Sequence, residues 1–530
     1  MNILSLYLTL QPRYFVFLSG LLYVISLFAA SDAVAQSTNS KTELNFQSSQ
    51  PAKRRPRRRP VFAGQKVREE AVVPAGDGEV ITDIRVQYVD DEGNLTTGKT
   101  NPDVIKREFA LQPGDNYDPQ VAKQGLSNVL DLEIIDRASL ILEPAAQERA
   151  VMVVTVEEAS SLFIGFGLTL PPPTALQGPV RPVTVNAISD SANGLGGGVR
   201  VGWSNIGGNN QIVTLGVEGG TQRLGLDLGY RKFFRHDRGI GVNFFTRRGI
   251  EPEFDDGDRD VDLDNNSDPW VHRLGGGIEY FQPLAKDLEG AIGLSYQKVS
   301  VRDGAFSDNI ESSDKFGNSL TVDEDGQDDV LTLNFAAVLD KRNNFQNPTR
   351  GYKLEFDSDQ YFPVGEAEII ANRLAANYTQ YLPLRLFGFG EGARTLVLNV
   401  QGGTILGDAI PYDAFILGGS SSVRGYDTSE IGTSRSFIQA SAEYRYPISS
   451  FNAFNNKLEV GGTVFIDYAN DLGSADAVIG QPAVVRDRPG DGLGYGLGLR
   501  TLTPIGTVRT EFALNDEGEA EFVFAIGDRF

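Results

Sequence analysis

From Ser160 to Phe530 the chain repeats one pattern. Segments of about ten residues alternate apolar and polar side chains, separated by turns or long acidic loops. In "SSLFIGFGLTL", Leu162, Ile164, Phe166 and Leu168 share one face, and Ser161, Gly165, Gly167 and Thr169 the other. "GVRVGWSN" sets Val199, Val201 and Trp203 against Arg200, Gly202 and Ser204. "KLEVGGTVFIDY" sets Leu458, Val460, Val464 and Ile466 against Glu459, Gly461, Thr463 and Asp467. A period of two is the spacing of a β-strand with unlike faces. Sixteen such segments start near residues 160, 195, 211, 223, 238, 270, 288, 328, 351, 367, 393, 436, 457, 492, 506 and 520.

An even number of strands, each about 9–11 residues long, suits a transmembrane β-barrel. A soluble sandwich would turn its apolar faces inward beneath a polar surface. Here no helices are available as cover, and Gly, Ser, Arg and Glu dominate the polar faces. A wet lumen and a lipid-facing exterior account for that, and closure removes the strand edges that lipid does not tolerate. The chain ends "EFVFAIGDRF", which reads as the closing strand. The expected fold class is therefore mostly β: a 16-stranded transmembrane β-barrel over residues 159–530, preceded by one small α+β domain.

That small domain covers residues 79–158. "EVITDIRVQYVD" alternates Ile84, Val86 and Tyr88 as a strand. "NPDVIKREFAL" opens a helix with Asn101 as cap and Pro102 in its first turn, and "DPQVAKQGLSNVL" repeats the device with Asp118 and Pro119. Val121, Gly125, Leu126, Val129 and Leu130 fall on one helical face. "IIDRASLILEP" and "RAVMVVTVEE" follow as two strands. The order β-α-α-β-β gives a sheet whose free edge can add an extended peptide.

The N-terminus reads as an export signal over residues 1–35. Arg13 precedes the apolar run "YFVFLSGLLYVISLFAA", and Ala33-Val34-Ala35 has the small-x-small form that places cleavage before Gln36. A transmembrane helix is the competing reading, but the run sits at the lower limit for spanning and polar sequence follows. Residues 36–78 read as a disordered linker rich in Ser, Gln, Pro and charge. Its basic run "KRRPRRRP", Lys53–Pro60, reads as solvated, with contact to anionic polymer or lipid headgroups as the alternative.

Composition narrows the function. A net charge of −22 argues against a nucleic-acid partner. The absence of Cys removes disulfides, thiol nucleophiles and Cys-based metal sites. Only His236 and His272 are present, too little for a His-ligated metal centre or a Ser-His-Asp triad. No catalytic, cofactor-binding or metal-binding residues are assigned, and the chain is not read as an enzyme. Asp260, Asp262 and Asp264 alternate in an acidic loop, but Asn265 stands where a calcium loop wants Gly, so the loop reads as solvated.

One stretch breaks the alternation: "LGGSSSVRGYDTSEIG", Leu417–Gly432, in the long loop 403–435. An Arg among Gly and Ser is either a solvated charge or a plug folded into a cavity. Here the sequence resembles the BamA/TamA superfamily of outer-membrane insertases and translocases (the surface-antigen family of assembly factors), which includes two-partner-secretion transporters. The carriers are Val423, Arg424, Gly425 and Tyr426, with "NPTRGYKLEF" (347–356), "AEYRYPI" (442–448), "FIDYAND" (465–471) and "TPIGTVRTEFAL" (503–514) in order. The small domain resembles a POTRA domain; most family members carry more than one.

The resemblance implies that Arg424 reaches into the lumen and pairs with acids on neighbouring strands. The alternation agrees: Glu443 and Asp467 both point inward, and one guanidinium can fork to both. Gly492, Gly494, Gly496 and Gly498 share one face and leave room for an inserted loop. The implied role is capture of unfolded β-barrel clients by strand addition and their insertion into the outer membrane of a Gram-negative-type bacterium, with the POTRA-like domain in the periplasm. The seam between residues 160–170 and 520–530 would template the nascent strand. Implied partners are unfolded outer-membrane or exported proteins and the lipid bilayer, with periplasmic chaperones and assembly lipoproteins as accessories and no nucleic acid. Dedicated secretion of one exported protein is the alternative, and a passive porin a more distant one.

Overall fold

The computed structural model of the chain describes residues 71–76, 78–145, 148–167, 187–189, 196–255, 259–345, 347–453, 456–503 and 506–530. The expected signal, the basic run Lys53–Pro60 and the end of the first segment, residues 168–170, lie outside the described residues.

The small domain comprises β1 (Val80–Val89), β2 (Leu95–Thr96), α1 (Pro102–Lys106), α2 (Pro119–Asp131), β3 (Ile135–Ala145) and β4 (Arg149–Glu158). Its sheet runs β2-β1-β4-β3, with β1 and β4 parallel and the other neighbours antiparallel. Asn101 Oδ1 accepts the Asp103 N–H at 3.1 Å, and Asp118 Oδ1 accepts that of Gln120 at 2.8 Å. These caps satisfy donors that a helix start leaves orphaned. Leu126 and Val129 of α2 bury against Ile84, Phe109 and Val154. Ala71 is buried in the same cluster and Val73 packs on it, so the packed unit begins upstream of residue 79. Strand β3 lies at one edge of the sheet.

The remaining strands are β5 (Leu162–Gly167), β6 (Ala187–Ser189), β7 (Gly196–Trp203), β8 (Gln211–Gly220), β9 (Arg223–Arg235), β10 (Arg238–Ile250), β11 (Trp270–Ala285), β12 (Leu288–Arg302) and β13 (Gln327–Asp340). They continue with β14 (Gly351–Phe362), β15 (Ala371–Pro383), β16 (Thr395–Gly407), β17 (Phe415–Leu417), β18 (Gly432–Ser434), β19 (Ser436–Ala453), β20 (Asn456–Asn470), β21 (Asp491–Thr503), β22 (Gly506–Asn515) and β23 (Ala520–Ile526). All but β17 and β18 close into one barrel, and those two pair as a ribbon within the loop after β16. The wall is inside-out relative to a soluble sheet. On β20, Val464, Ile466 and Tyr468 are exposed, whereas Thr463, Phe465 and Asp467 between them are buried.

Closure differs from the expectation. The ring contains a short element, β6, within what the sequence presents as a connection. β6 pairs with β23 through Ala187↔Ile526, Ile188↔Ala525 and Ser189↔Phe524. Among the described residues this ladder has three pairs, against fifteen between β19 and β20, and the ring order also sets β5 beside β23. Three residues, Ala-Ile-Ser, are too few to display a period of two. The last strand also stops early. Gly527 takes φ 129, and the final three residues leave the wall for the bore.

The small domain packs on the near-end turns of the barrel. The Asn101 N–H donates to Gly208 O at 2.8 Å, Arg107 Nη2 to Phe233 O at 3.0 Å, and His236 Nδ1 lies 2.7 Å from Glu108 Oε2. The far-end loops are not simply solvated. Val261 and Leu263 are buried with Phe254, Leu320, Ile410 and Tyr412 in an apolar cluster. The alternation of Asp260, Asp262 and Asp264 thus marks the outer face of a packed segment. Asp262 pairs with Lys315, and among the described residues no group of acids or histidines is arranged to hold a metal.

Candidate functional site: a guanidinium held in the bore

The loop after β16 folds back into the barrel rather than extending from it. Leu417, Val423, Tyr426 and Ile431 bury against Ala469 of β20. Gly425 sits at φ 101, where a side chain would be strained, and a Cβ there would meet the Leu514 carbonyl carbon at 2.9 Å. The glycines of β21 supply part of the space. A Cβ on Gly494 would strike the Arg424 carbonyl, and one on Gly492 would meet the Tyr426 ring at 2.7 Å. Gly496 and Gly498 instead make room for Phe465 and for Thr463 and Glu511.

Arg424 is fully buried. Its Nε donates to Asp467 Oδ2 at 2.7 Å and its Nη2 to Asp467 Oδ1 at 3.0 Å, a bidentate fork. Nη1 donates to Glu443 Oε2 at 2.8 Å and to Glu511 Oε1 at 3.1 Å. The guanidinium carbon lies 3.4 Å from the centre of the Phe465 ring. A planar cation with five donors suits this cage; a lysine ammonium could not fork to Asp467 and lie flat on the ring. The flanking motif residues are also engaged. The Gly425 N–H donates to Glu521 Oε2 at 3.2 Å, Tyr426 Oη to Asp516 Oδ1 at 2.5 Å, and Val423 is fully buried. Burial, then the hydrogen bond to Asp516, raises the Tyr426 phenol above its ordinary range, so it stays a donor.

The sequence reading named Glu443 and Asp467 and missed two participants. Glu511 was recoverable: it stands on the inward face of β22, beside buried Arg509 and Ala513. The other is the C-terminal tail. Arg529 Nη1 donates to Asp467 Oδ2 at 2.8 Å, and its Nη2 to Ser422 O in the loop. Asp528 accepts from Arg445 Nη2 at 2.8 Å and Arg500 Nη2 at 3.0 Å, and Tyr381 Oη donates to Phe530 O at 3.0 Å. No periodicity in the sequence announces a tail that turns inward.

The buried network joins carboxylates Glu443, Asp467, Glu511 and Asp528 to guanidiniums Arg424, Arg445, Arg500, Arg509 and Arg529. Mutual neutralisation is what lets so many charges sit out of water. The arrangement is chemically a latch: it holds a loop and a chain terminus in the bore.

Comparison with known proteins gives a consistent picture. Residues 205–530 match the model of the Omp85 superfamily domain. The chain is 27% identical over 455 residues to outer envelope protein 80 of Arabidopsis thaliana chloroplasts, covering 85% of this chain and 57% of that protein. It is 27% identical over 495 residues to protein TOC75 of Pisum sativum chloroplasts, covering 87% and 57% respectively. The chain thus spans little more than half the length of these relatives. Its fold is similar to the crystal structure of BamA from Haemophilus ducreyi lacking POTRA domains 1–3, with a TM-score of 0.57, 16% identity and 84% of each chain covered. It is also similar to CdiB from Escherichia coli, with a TM-score of 0.53, 11% identity and 84% of this chain and 76% of that one covered.

Proposed function

This chain belongs to the Omp85 superfamily, whose members are outer-membrane proteins, and from that premise we propose that it inserts β-barrel proteins into an outer membrane. In this reading the small domain is a POTRA-type domain on the periplasmic side. The edge of β3 captures an extended client segment by main-chain pairing. The ladder between β6 and β23 then parts, and a nascent strand takes its place.

The observation that supports the reading is that the ring closes at β23, with three pairs to β6 among the described residues, beside a latched loop. The reading requires this seam to separate at lower cost than the neighbouring ladders. No step needs a nucleotide. The driving force is the folding of the client, whose apolar face leaves water for lipid. Val423, Arg424, Gly425 and Tyr426 with Glu443 and Asp467 serve as the lock that keeps the bore sealed while the seam works.

Because the chain has no Cys, a single engineered pair tests this. Ile188→Cys and Ala525→Cys are registered partners across the seam. Oxidation should abolish accelerated insertion of an unfolded outer-membrane barrel into liposomes, and reduction should restore it. Equal insertion by the oxidised and reduced protein would refute seam opening. Depletion in cells separates the readings further: broad loss of outer-membrane proteins fits general assembly, whereas loss of one exported protein fits dedicated secretion.

A further inference from the structure

The near-end connection between β15 and β16, Leu384–Arg394, reads "LRLFGFGEGAR". We propose that it is a membrane-interface anchor, seating Leu386, Phe387 and Phe389 in the phospholipid leaflet at the near end of the barrel. The proposal rests on the outward face of the wall meeting lipid, and is independent of how clients are handled.

The first observation is exposure. Leu386 is 65% exposed, Phe387 47% and Phe389 79%. Three neighbouring large apolar side chains presented to water are unfavourable by the full hydrophobic cost of each. The second is position. The loop lies against the outer side of the wall. Phe387 packs 4.9 Å from Tyr444 and 4.8 Å from Tyr446, and Phe389 6.0 Å from Tyr446, measured between ring centres. Tyr444 shares its face of β19 with Ile438, which is exposed outward, while Glu443 and Arg445 point into the bore. The loop is therefore continuous with the lipid-facing surface, at the level where aromatic side chains form a girdle in such barrels.

The third observation is the pairing of the loop backbone. A polar group that approaches the hydrocarbon loses water as a partner. Around the three apolar side chains the backbone is largely paired with protein. Tyr444 Oη accepts the N–H groups of Leu386 at 3.0 Å and Phe387 at 3.1 Å, and donates to Phe387 O at 2.8 Å. Pro447 O accepts those of Phe389 at 3.0 Å and Gly390 at 3.1 Å. The Arg394 guanidinium spans the carbonyls of Phe387, Gly388, Gly390 and Gly392 at 3.2–3.4 Å. Gly390 lets this closed loop press on the wall, since a Cβ would meet Ile448 O at 2.7 Å. Arg385 and Glu391 are exposed on the same loop and can extend to headgroups.

Single substitutions Leu386→Cys and Phe389→Cys, each carrying a nitroxide label, test the proposal in the full chain in phosphatidylcholine nanodiscs. Glu92→Cys, exposed on the small domain, is the aqueous reference. The retained heat-modifiable band on gels verifies folding. Power-saturation spectra should give labels at 386 and 389 an oxygen-to-nickel-chelate accessibility ratio several times that at 92. Ratios equal to that at 92 would overturn the proposal, and so would a label shielded from both reagents. Adding Arg394→Gln to Phe389→Cys should lower the ratio towards the aqueous value while leaving the folded band intact. An unchanged ratio would mean that the carbonyl clamp does not set the depth.

Discussion

Arg529, the penultimate residue, donates to the same Asp467 oxygen, Oδ2, that loop residue Arg424 holds, at 2.8 Å and 2.7 Å respectively. One buried carboxylate therefore ties the loop from the far end to the chain terminus that follows the seam strand. A change that frees either cation alters what the other is bound to.

Arg424→Ala leaves Glu443, Asp467 and Glu511 facing one another without their shared cation. Removing one partner of a buried ion pair costs roughly 3–5 kcal/mol. The expected outcome is a lower melting temperature in detergent and, in planar bilayers, longer and larger channel openings as the loop leaves the bore. Arg424→Lys should recover only part of this, because an ammonium cannot fork to Asp467. If the Ala and Lys variants both melted and conducted like the parent, the latch would have no energetic role.

Arg529→Ala should destabilise less than Arg424→Ala, since Arg424 retains all three acids. The two changes should be non-additive by about 0.5–3 kcal/mol, as expected of groups that share a partner. A double-mutant cycle by chemical denaturation measures this directly. Simple additivity would show that the terminus and the loop are energetically separate despite their common oxygen.

Gly494→Ala adds one methyl group where the Arg424 carbonyl lies. The loop must shift or the strand must bend, at a cost of about 1–3 kcal/mol. Protease should then cut the loop near residues 419–426 faster than in the parent, while Gly518→Ala, in an open turn, serves as a strained but uncrowded comparison. Identical cleavage rates for the Gly494 variant and the parent would count against the packing argument.

The junction between the small domain and the barrel should loosen as pH rises. Burial alone would lower the His236 pKa, but the hydrogen bond to Glu108 and the charge of Asp237 outweigh it, leaving the pKa above 6.5. A raised folded-state value means that the pair stabilises fully below about pH 6.5, the unfolded value, and that the contribution disappears as pH rises through the folded-state value. Hydrogen exchange at the Asn101 amide, which donates to Gly208 O across the junction, should be slower at pH 6 than at pH 8 after correction for intrinsic rates. His236→Gln should flatten the difference; a pH dependence that survives this change would need another source.

How much of the site was legible follows from what each residue had to reveal. Asp467 and Glu443 could be placed because alternation fixes the face a strand residue takes; the charge among Gly and Ser marked Arg424 but left it solvated or plugged, and the family resemblance is what implied the bore. Asp260, Asp262 and Asp264 read as a solvated loop from their charge, whereas Val261 and Leu263 between them pack into an apolar cluster that charge alone does not announce. The element at 187–189 had too few residues to carry any rhythm.

The order of residues determined a mostly β chain with alternating walls, capped helices in the small domain, and acids aimed at the interior. Only the folded ring decided which acids meet which guanidinium, that Glu511 joins Asp467 around Arg424, and that the final three residues turn inward to share that site. The reason is geometric. Alternation is a local property of consecutive residues, written wherever a strand has two unlike faces. Distances across a closed bore depend on strand tilt, on register, and on the path of a loop that returns inside, and no short window of sequence encodes those.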